Sequence, residues 1–134
     1  MIVLETTVNA PVAQVWLAYT TPEAIVQWNA ASDDWHTTQA TVDLQVGGAF
    51  SSRMEAKDGS MGFDFEGVYT AVEPERRLAY DFGDRKAEVT FTEVEGGTHV
   101  RVAFEPETVH PEDMQRDGWQ AILNNFKQYV ESQN

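Results

Sequence analysis

The C-terminal stretch of residues 112–130 constrains the fold more than any other part of the sequence. Pro111 precedes it at a position where a helix tolerates proline, and Glu112 and Asp113 place negative charge at the positive end of the helix dipole. A helix of this length spans about 28 Å, the width of a small domain. Its apolar residues recur at helical spacing, at Met114, Trp119, Ile122, Leu123, Phe126, Tyr129 and Val130. The pattern predicts a long amphipathic helix that packs this stripe against the rest of the chain.

The chain before this helix is predicted to consist mostly of strands. Residues 2–8 alternate between apolar and polar side chains, and two short helices follow, opened by Pro11 and Pro22. Six further strands are predicted at residues 35–46, 50–54, 62–72, 78–82, 86–94 and 98–104. Tight turns with glycine make consecutive strands antiparallel neighbours. We therefore predict one α+β domain over residues 1–134, in which a bent antiparallel sheet of about six to seven strands is closed on one side by the long helix.

The charge of the chain excludes several classes of partner. Nine Lys and Arg stand against 22 Asp and Glu, for a formal net charge of -13. Such a surface repels nucleic-acid phosphates and anionic membranes. The acidic residues either keep the protein soluble or form a docking surface for another protein. No apolar run approaches the roughly 20 residues of a membrane span, and the N-terminus lacks the pattern of a secretory signal. With no cysteine, these features together favour a cytoplasmic protein.

A set of short motifs, in a fixed order, resembles a known family. The motifs are Ala10-Pro11 with Val15-Trp16, Pro22-Glu23 with Trp28, Gly47-Gly48-Ala49-Phe50, Gly67-Val68-Tyr69 with Glu73-Pro74, Arg77-Leu78, Gly97-Thr98 and Gly118-Trp119. Over nearly the whole chain they resemble the activator-of-heat-shock-protein-ATPase-like (AHSA-type) family of the START-like superfamily (SRPBCC; polyketide cyclases and Bet v allergens). The resemblance implies a helix-grip fold, in which a curved sheet wraps around the C-terminal helix and leaves a cavity between them. Because relatives on this fold differ in function, it does not choose among their activities.

The sequence offers no recognisable catalytic, metal or cofactor site. His36, His99 and His110 are widely separated and form no ligand pair, and the serines lie in no GxSxG motif. There is also no glycine-rich phosphate loop. Asp64 and Glu66 share a strand face opposite the aromatic residues, which points them to solvent. We expect no catalytic residue, no metal and no cofactor, and we regard a cyclase- or hydrolase-type enzyme as the less favoured interpretation.

Aromatic side chains on the strands face the apolar stripe of the long helix. They form either an ordinary filled core or the wall of a ligand pocket. The predicted cavity-lining residues are Trp35, Phe50, Met54, Phe63, Phe65, Tyr69, Tyr80, Phe82, Met114, Gly118, Trp119 and Ile122. The candidate polar groups are Ser52, Arg53, Trp35, His36, Tyr69, Tyr80 and Gln115. Gly118 costs about 1 kcal/mol of helix stability relative to alanine. Its missing side chain leaves space for a ligand or for the close approach of a strand.

Two functions follow from the aromatic faces and the resemblance. The first is non-catalytic binding of a small hydrophobic or aromatic molecule between the sheet and the helix. The alternative is a protein-interaction module, with a chaperone or another protein as the partner, as the family's name implies. Either a monomer or a homodimer is compatible with the sequence, because strand edges can pair but the acidic charge opposes self-association.

Overall fold

A computed structural model describes residues 1–133 of the chain. In chain order its elements are β1 (Ile2–Val8), α1 (Val12–Thr20), α2 (Pro22–Trp28), β2 (Trp35–Val42), β3 (Ala49–Ala56), β4 (Gly62–Glu73), β5 (Arg77–Phe82), β6 (Arg85–Val94), β7 (Gly97–Phe104) and α3 (Glu112–Ser132). The prediction of an α+β fold with two short helices after the first strand and a long C-terminal helix is confirmed.

The seven strands form one antiparallel sheet in the order β1-β7-β6-β5-β4-β3-β2. Strands β2 to β7 therefore follow each other as a meander, and β1 returns to pair with β7 along its whole length, from Ile2 opposite Phe104 to Val8 opposite Thr98. The sheet curls into a half-barrel, and β1 and β2 remain its two edges. Helix α3 contacts β1 and helix α2 contacts β2, so each edge strand has a helix beside it.

The core lies where the inward faces of the strands meet the helices. The side chains of Leu123, Phe126 and Val130 on α3 are at most 3% exposed, and they repeat at the helical spacing that the sequence predicts. Burying a side chain such as Phe126 contributes about 1.5–3 kcal/mol. Thr98 is also fully buried, and its hydroxyl donates a hydrogen bond of 2.9 Å to the carbonyl of Ala10, which fixes the start of β7 beside the β1–α1 connection.

Strand β2 is shorter than the sequence predicts. It ends at Val42 rather than at residue 46, because the chain turns at Asp43, whose carbonyl accepts a hydrogen bond from the amide of Gln45. The amide of Gly47 then donates to the carbonyl of Tyr69, and the amide of Tyr69 donates to the carbonyl of Gly48. The glycine pair therefore docks onto β4 instead of continuing β2. No helix in the described part of the chain is long and apolar enough to cross a membrane.

Candidate functional site

A cavity of about 500 Å³ lies between the concave face of the sheet and α3. All seven strands, both short helices and the middle of α3 contribute to its wall, with most of the strand residues coming from β2 to β5. The cavity brings together ten of the residues that the sequence singles out: Trp35, Phe50, Met54, Phe63, Phe65, Tyr69, Tyr80, Gly118, Trp119 and Ile122. The remaining lining side chains are mostly apolar as well, so a molecule in this space would meet aromatic faces and aliphatic groups.

Two residues predicted to line the cavity do not. Met114 is 58% exposed, because it lies in the first turn of α3 with Glu112 and Asp113, where all three side chains face solvent. Phe82 is buried behind the wall rather than on it, with its ring centroid 5.7 Å from that of Trp119. Its role is to support Trp119, and the prediction that it contacts the cavity is wrong.

Close packing of Phe50 against a glycine builds one wall of the cavity. A Cβ atom at Gly67 would lie 2.6 Å from the Phe50 ring and 2.5 Å from the Asp81 carbonyl, so only glycine fits there. The Phe50 ring in turn lies 5.1 Å from the Tyr69 ring and 5.0 Å from the Tyr80 ring, measured between centroids. The packing of Phe50 against both tyrosine rings fixes their positions and so determines where the two hydroxyls enter the cavity.

Gly118 opens onto empty space. A Cβ atom built at this position would meet nothing within 4 Å. The interpretation in which glycine permits close approach of a strand is therefore wrong, because no strand comes near. The residue lines the cavity instead, and its missing side chain adds to the free volume.

Three tyrosines place hydroxyl groups in the site. Burial raises the pKa of Tyr69 to about 12, and burial with the field of the neighbouring tyrosines raises the pKa values of Tyr19 and Tyr80 further. All three phenols are therefore protonated near neutral pH. None of the three hydroxyls has a hydrogen-bond partner within residues 1–133. In the same residues every fully buried polar side-chain atom does have a partner, so the three hydroxyls are not fully buried. The hydroxyls are thus in contact with the cavity space and available as donors.

The other polar candidates divide between the cavity and the surface. Ser52 and Trp35 line the cavity. Arg53 lies on the outer face of β3, where it forms ion pairs with Glu55 at 2.9 Å and with Asp64 at 3.5 Å. His36 and Gln115 do not contact the cavity either, and Gln115 instead braces the loop before α3 through hydrogen bonds.

The predicted orientation of the carboxylates on β4 is confirmed, because Asp64 and Glu66 are both exposed. The described residues contain no group of three His, Cys, Asp or Glu side chains that could hold a metal ion.

Several lining residues were missed by sequence reasoning. Tyr19 and Trp28 come from the two short helices, and the Trp28 indole donates a hydrogen bond of 2.9 Å to the Ala18 carbonyl, which fixes the angle between them. Arg85 is the first residue of β6 and also lines the cavity. The sequence contains a pattern that predicts this orientation. Arg85 continues the two-residue spacing of Ala87, Val89 and Phe91, so it shares their face of the strand.

The sheet curled around α3 with an internal cavity defines a helix-grip domain of the START-like superfamily. Residues 9–131 match the model of the family described as Activator of Hsp90 ATPase homolog 1-like protein. The chain belongs to this family, as the sequence motifs predict. No curated protein sequence matches the chain at a significant level.

Solved structures extend this result. The AHSA1-like protein from Aeromonas hydrophila is 48% identical, with a TM-score of 0.93 over 98% of this chain and 92% of its own. A protein from Cytophaga hutchinsonii is 44% identical, with a TM-score of 0.84 over 98% of this chain and 92% of its own. A protein from Nitrosomonas europaea shares the fold, with a TM-score of 0.86 at 22% identity over 98% of this chain and 94% of its own.

Proposed function

We propose that this protein binds a small hydrophobic or aromatic molecule in the cavity between the sheet and α3, without transforming it. The observation that carries the proposal is the cavity of about 500 Å³ next to Gly118. Protein interiors are close-packed and leave few voids larger than a water molecule. A space of this size lies instead within the range of ligand pockets, roughly 300–1,000 Å³.

The chemistry of the wall supports an aromatic occupant. The rings of Phe65, Tyr80 and Trp119 all line the cavity, and Phe65 meets the other two edge to face. A planar ligand could add to such a group by stacking, which contributes about 0.5–1.5 kcal/mol per aromatic pair beyond the burial of area. The few hydroxyl groups on the wall would orient the molecule.

The lining residues favour binding over catalysis. Among the described residues that line the cavity there is no Asp, Glu, His or Lys, the groups that most often serve as general acids and bases. The tyrosines are poor bases near neutral pH, because burial keeps them protonated. This composition supports a carrier or sensor of a small molecule.

Fluorescence titration with the neutral probe N-phenyl-1-naphthylamine tests the proposal. We expect saturable binding with an emission shift to shorter wavelength. The Gly118→Leu variant should weaken binding about tenfold or more, because its side chain enters the cavity, whereas Gly118→Ala should bind nearly as the parent does. Absence of saturable binding to the parent protein, or equal affinity of the leucine variant, would refute the proposal.

A second candidate function is interaction with another protein. The family takes its name from an activator of the Hsp90 ATPase, and the net charge of -13 provides an acidic surface for docking. Addition of the purified protein to a chaperone of the Hsp90 type should then raise its rate of ATP hydrolysis. An unchanged rate at saturating concentrations would refute this candidate and leave the first one untouched.

A further inference from the structure

The cavity contains a single charged side chain, and it is positive. The protein carries 22 acidic residues against nine basic ones, yet among residues 1–133 no carboxylate lines the cavity and Arg85 alone brings a charge to it. The net charge of the protein is therefore negative, whereas the charge on the cavity wall is positive.

The position of Arg85 is fixed by the protein, while most of its donors stay free. Its guanidinium carbon lies 4.4 Å from the centroid of the Phe82 ring, and Nη1 donates a hydrogen bond of 3.3 Å to the Glu105 carbonyl. No carboxylate within the described part of the chain forms an ion pair with it, in contrast to Arg53 and Arg77. A guanidinium group has five N–H donors, so four remain for another acceptor.

Hydroxyl donors line the same cavity as Arg85. Tyr80 is 7% exposed and its hydroxyl has no hydrogen-bond partner among the described residues. Tyr80 and Arg85 lie on neighbouring strands, since Tyr80 pairs with Ala87 and Phe82 pairs with Arg85. The Phe82 ring that carries the Arg85 guanidinium has its centroid 5.7 Å from that of Tyr80. Tyr69 and Ser52 are 6% and 5% exposed, line the same cavity and also have no partner. The cavity wall therefore supplies N–H and O–H donors and, among the described residues, contains no carboxylate.

We infer that the cavity takes an apolar carboxylic acid, whose carboxylate accepts hydrogen bonds from Arg85 and Tyr80 while its apolar body lies among the aromatic rings. A carboxylate is an acceptor only, and its two oxygens match the fork of a guanidinium group. A hydrocarbon would fill the same space but leave these donors without acceptors, which costs free energy in a desolvated site. This inference names the ligand class of the site and rests on the proposed function.

Three matched compounds test the inference by isothermal titration calorimetry near neutral pH: 2-naphthylacetate, its methyl ester and 2-ethylnaphthalene. The carboxylate should bind about tenfold or more tightly than the ester or the hydrocarbon, as hydrogen bonds to charged groups allow. Arg85→Met should weaken binding of the carboxylate about tenfold and change that of the ester less than about twofold. Tyr80→Phe should weaken carboxylate binding by a smaller factor, and Arg85→Lys should retain part of the preference.

The outcomes separate this inference from the proposed function. Equal or tighter binding of the ester overturns the inference alone, because the site would then accept apolar molecules of any kind. Equal weakening of ester and carboxylate by Arg85→Met also overturns it, because the residue would act only on the shape of the wall. If none of the three compounds binds and N-phenyl-1-naphthylamine does not bind either, the proposed function itself fails.

Discussion

Trp119 on α3 stacks on Phe104 at the end of β7, with the ring centroids 3.9 Å apart and the planes within 8° of each other. The indole also contacts Phe82 and Phe65, with centroid distances of 5.7 and 6.2 Å. One side chain thus anchors the helix to the sheet and also forms part of the cavity wall.

Removing this anchor should destabilise the protein. Trp119→Ala is expected to lower the free energy of unfolding by about 3 kcal/mol, the lower end of the range for tryptophan truncation, because the side chain is only half-buried. Urea denaturation followed by circular dichroism measures the change. Trp119→Phe keeps a ring against Phe104 and should lose less than half as much. Similar losses for the two variants would show that the stacked pair is not the anchor.

Two glycine-to-alanine substitutions should have opposite effects. Gly118→Ala should stabilise the protein by about 1 kcal/mol, because the added Cβ meets nothing within 4 Å and alanine favours a helix. Gly67→Ala should destabilise it by about 2 kcal/mol or more, because the Cβ would lie 2.6 Å from the Phe50 ring, a case of overpacking. Thermal unfolding of the pair provides the comparison. A melting temperature that falls for Gly118→Ala would contradict the open space beside α3.

Stability should decrease in alkaline solution through the buried tyrosines. Burial raises the pKa of Tyr69 from 10 to about 12, and those of Tyr19 and Tyr80 are raised as well. Between these values the native protein holds protons that the unfolded chain releases, so the free energy of unfolding falls as the pH rises. Below about pH 10 this contribution is fully present.

Unfolding experiments from neutral to alkaline pH, combined with phenolate absorbance, check this dependence. Tyr80→Phe should flatten the decline in stability above about pH 10, since one phenol with a raised pKa is removed. If Tyr19, Tyr69 and Tyr80 ionise near the ordinary tyrosine pKa while the protein remains folded, these phenols are not desolvated as described.

The hydroxyl of Thr98 should contribute to stability beyond its volume. Thr98→Val keeps the shape of the side chain but leaves the buried Ala10 carbonyl without its donor, which should cost about 1–3 kcal/mol. Thr92→Val is the matched control on the neighbouring strand, because Thr92 is exposed and should tolerate the change within about 0.5 kcal/mol. Equal effects in urea unfolding would mean that the hydrogen bond contributes nothing specific.

The fold could be predicted because its signals are local. Glycine turns such as that at Gly96 separate alternating strands, and the helical stripe of α3 ends in the fully buried Phe126 and Val130. Strand β2 was predicted too long because Leu44 and Val46 continue the alternation, whereas the docking of Gly47 on Tyr69 is a long-range contact without a sequence pattern. Met114 lies one helical turn before Gly118 and on the same side of α3, but periodicity does not say where the sheet stops covering a helix.

The candidate site could be predicted only in part, for a related reason. Aromatic residues on one strand face, such as Phe65 and Tyr69, share a side of the sheet by geometry alone. The presence of free volume depends instead on how closely α3 approaches the sheet, which no spacing encodes. Arg85 was overlooked because a charged residue beside a turn normally faces solvent. Its packing on Phe82 and its hydrogen bond to the Glu105 carbonyl, which hold it at the wall, are contacts without a sequence pattern.

The half-barrel is not closed by strand pairing, because β1 and β2 stand at opposite edges of the sheet, with α3 beside β1 and α2 beside β2. The backbone hydrogen bonds of the sheet therefore do not by themselves set the size of the internal chamber, which also depends on the side chains that α3 presents to it. Substitutions at positions such as Gly118 and Ile122 can reshape the chamber while every backbone ladder stays intact. Within one family the same shell can thus acquire new occupants through changes on a single helical face, without a new fold.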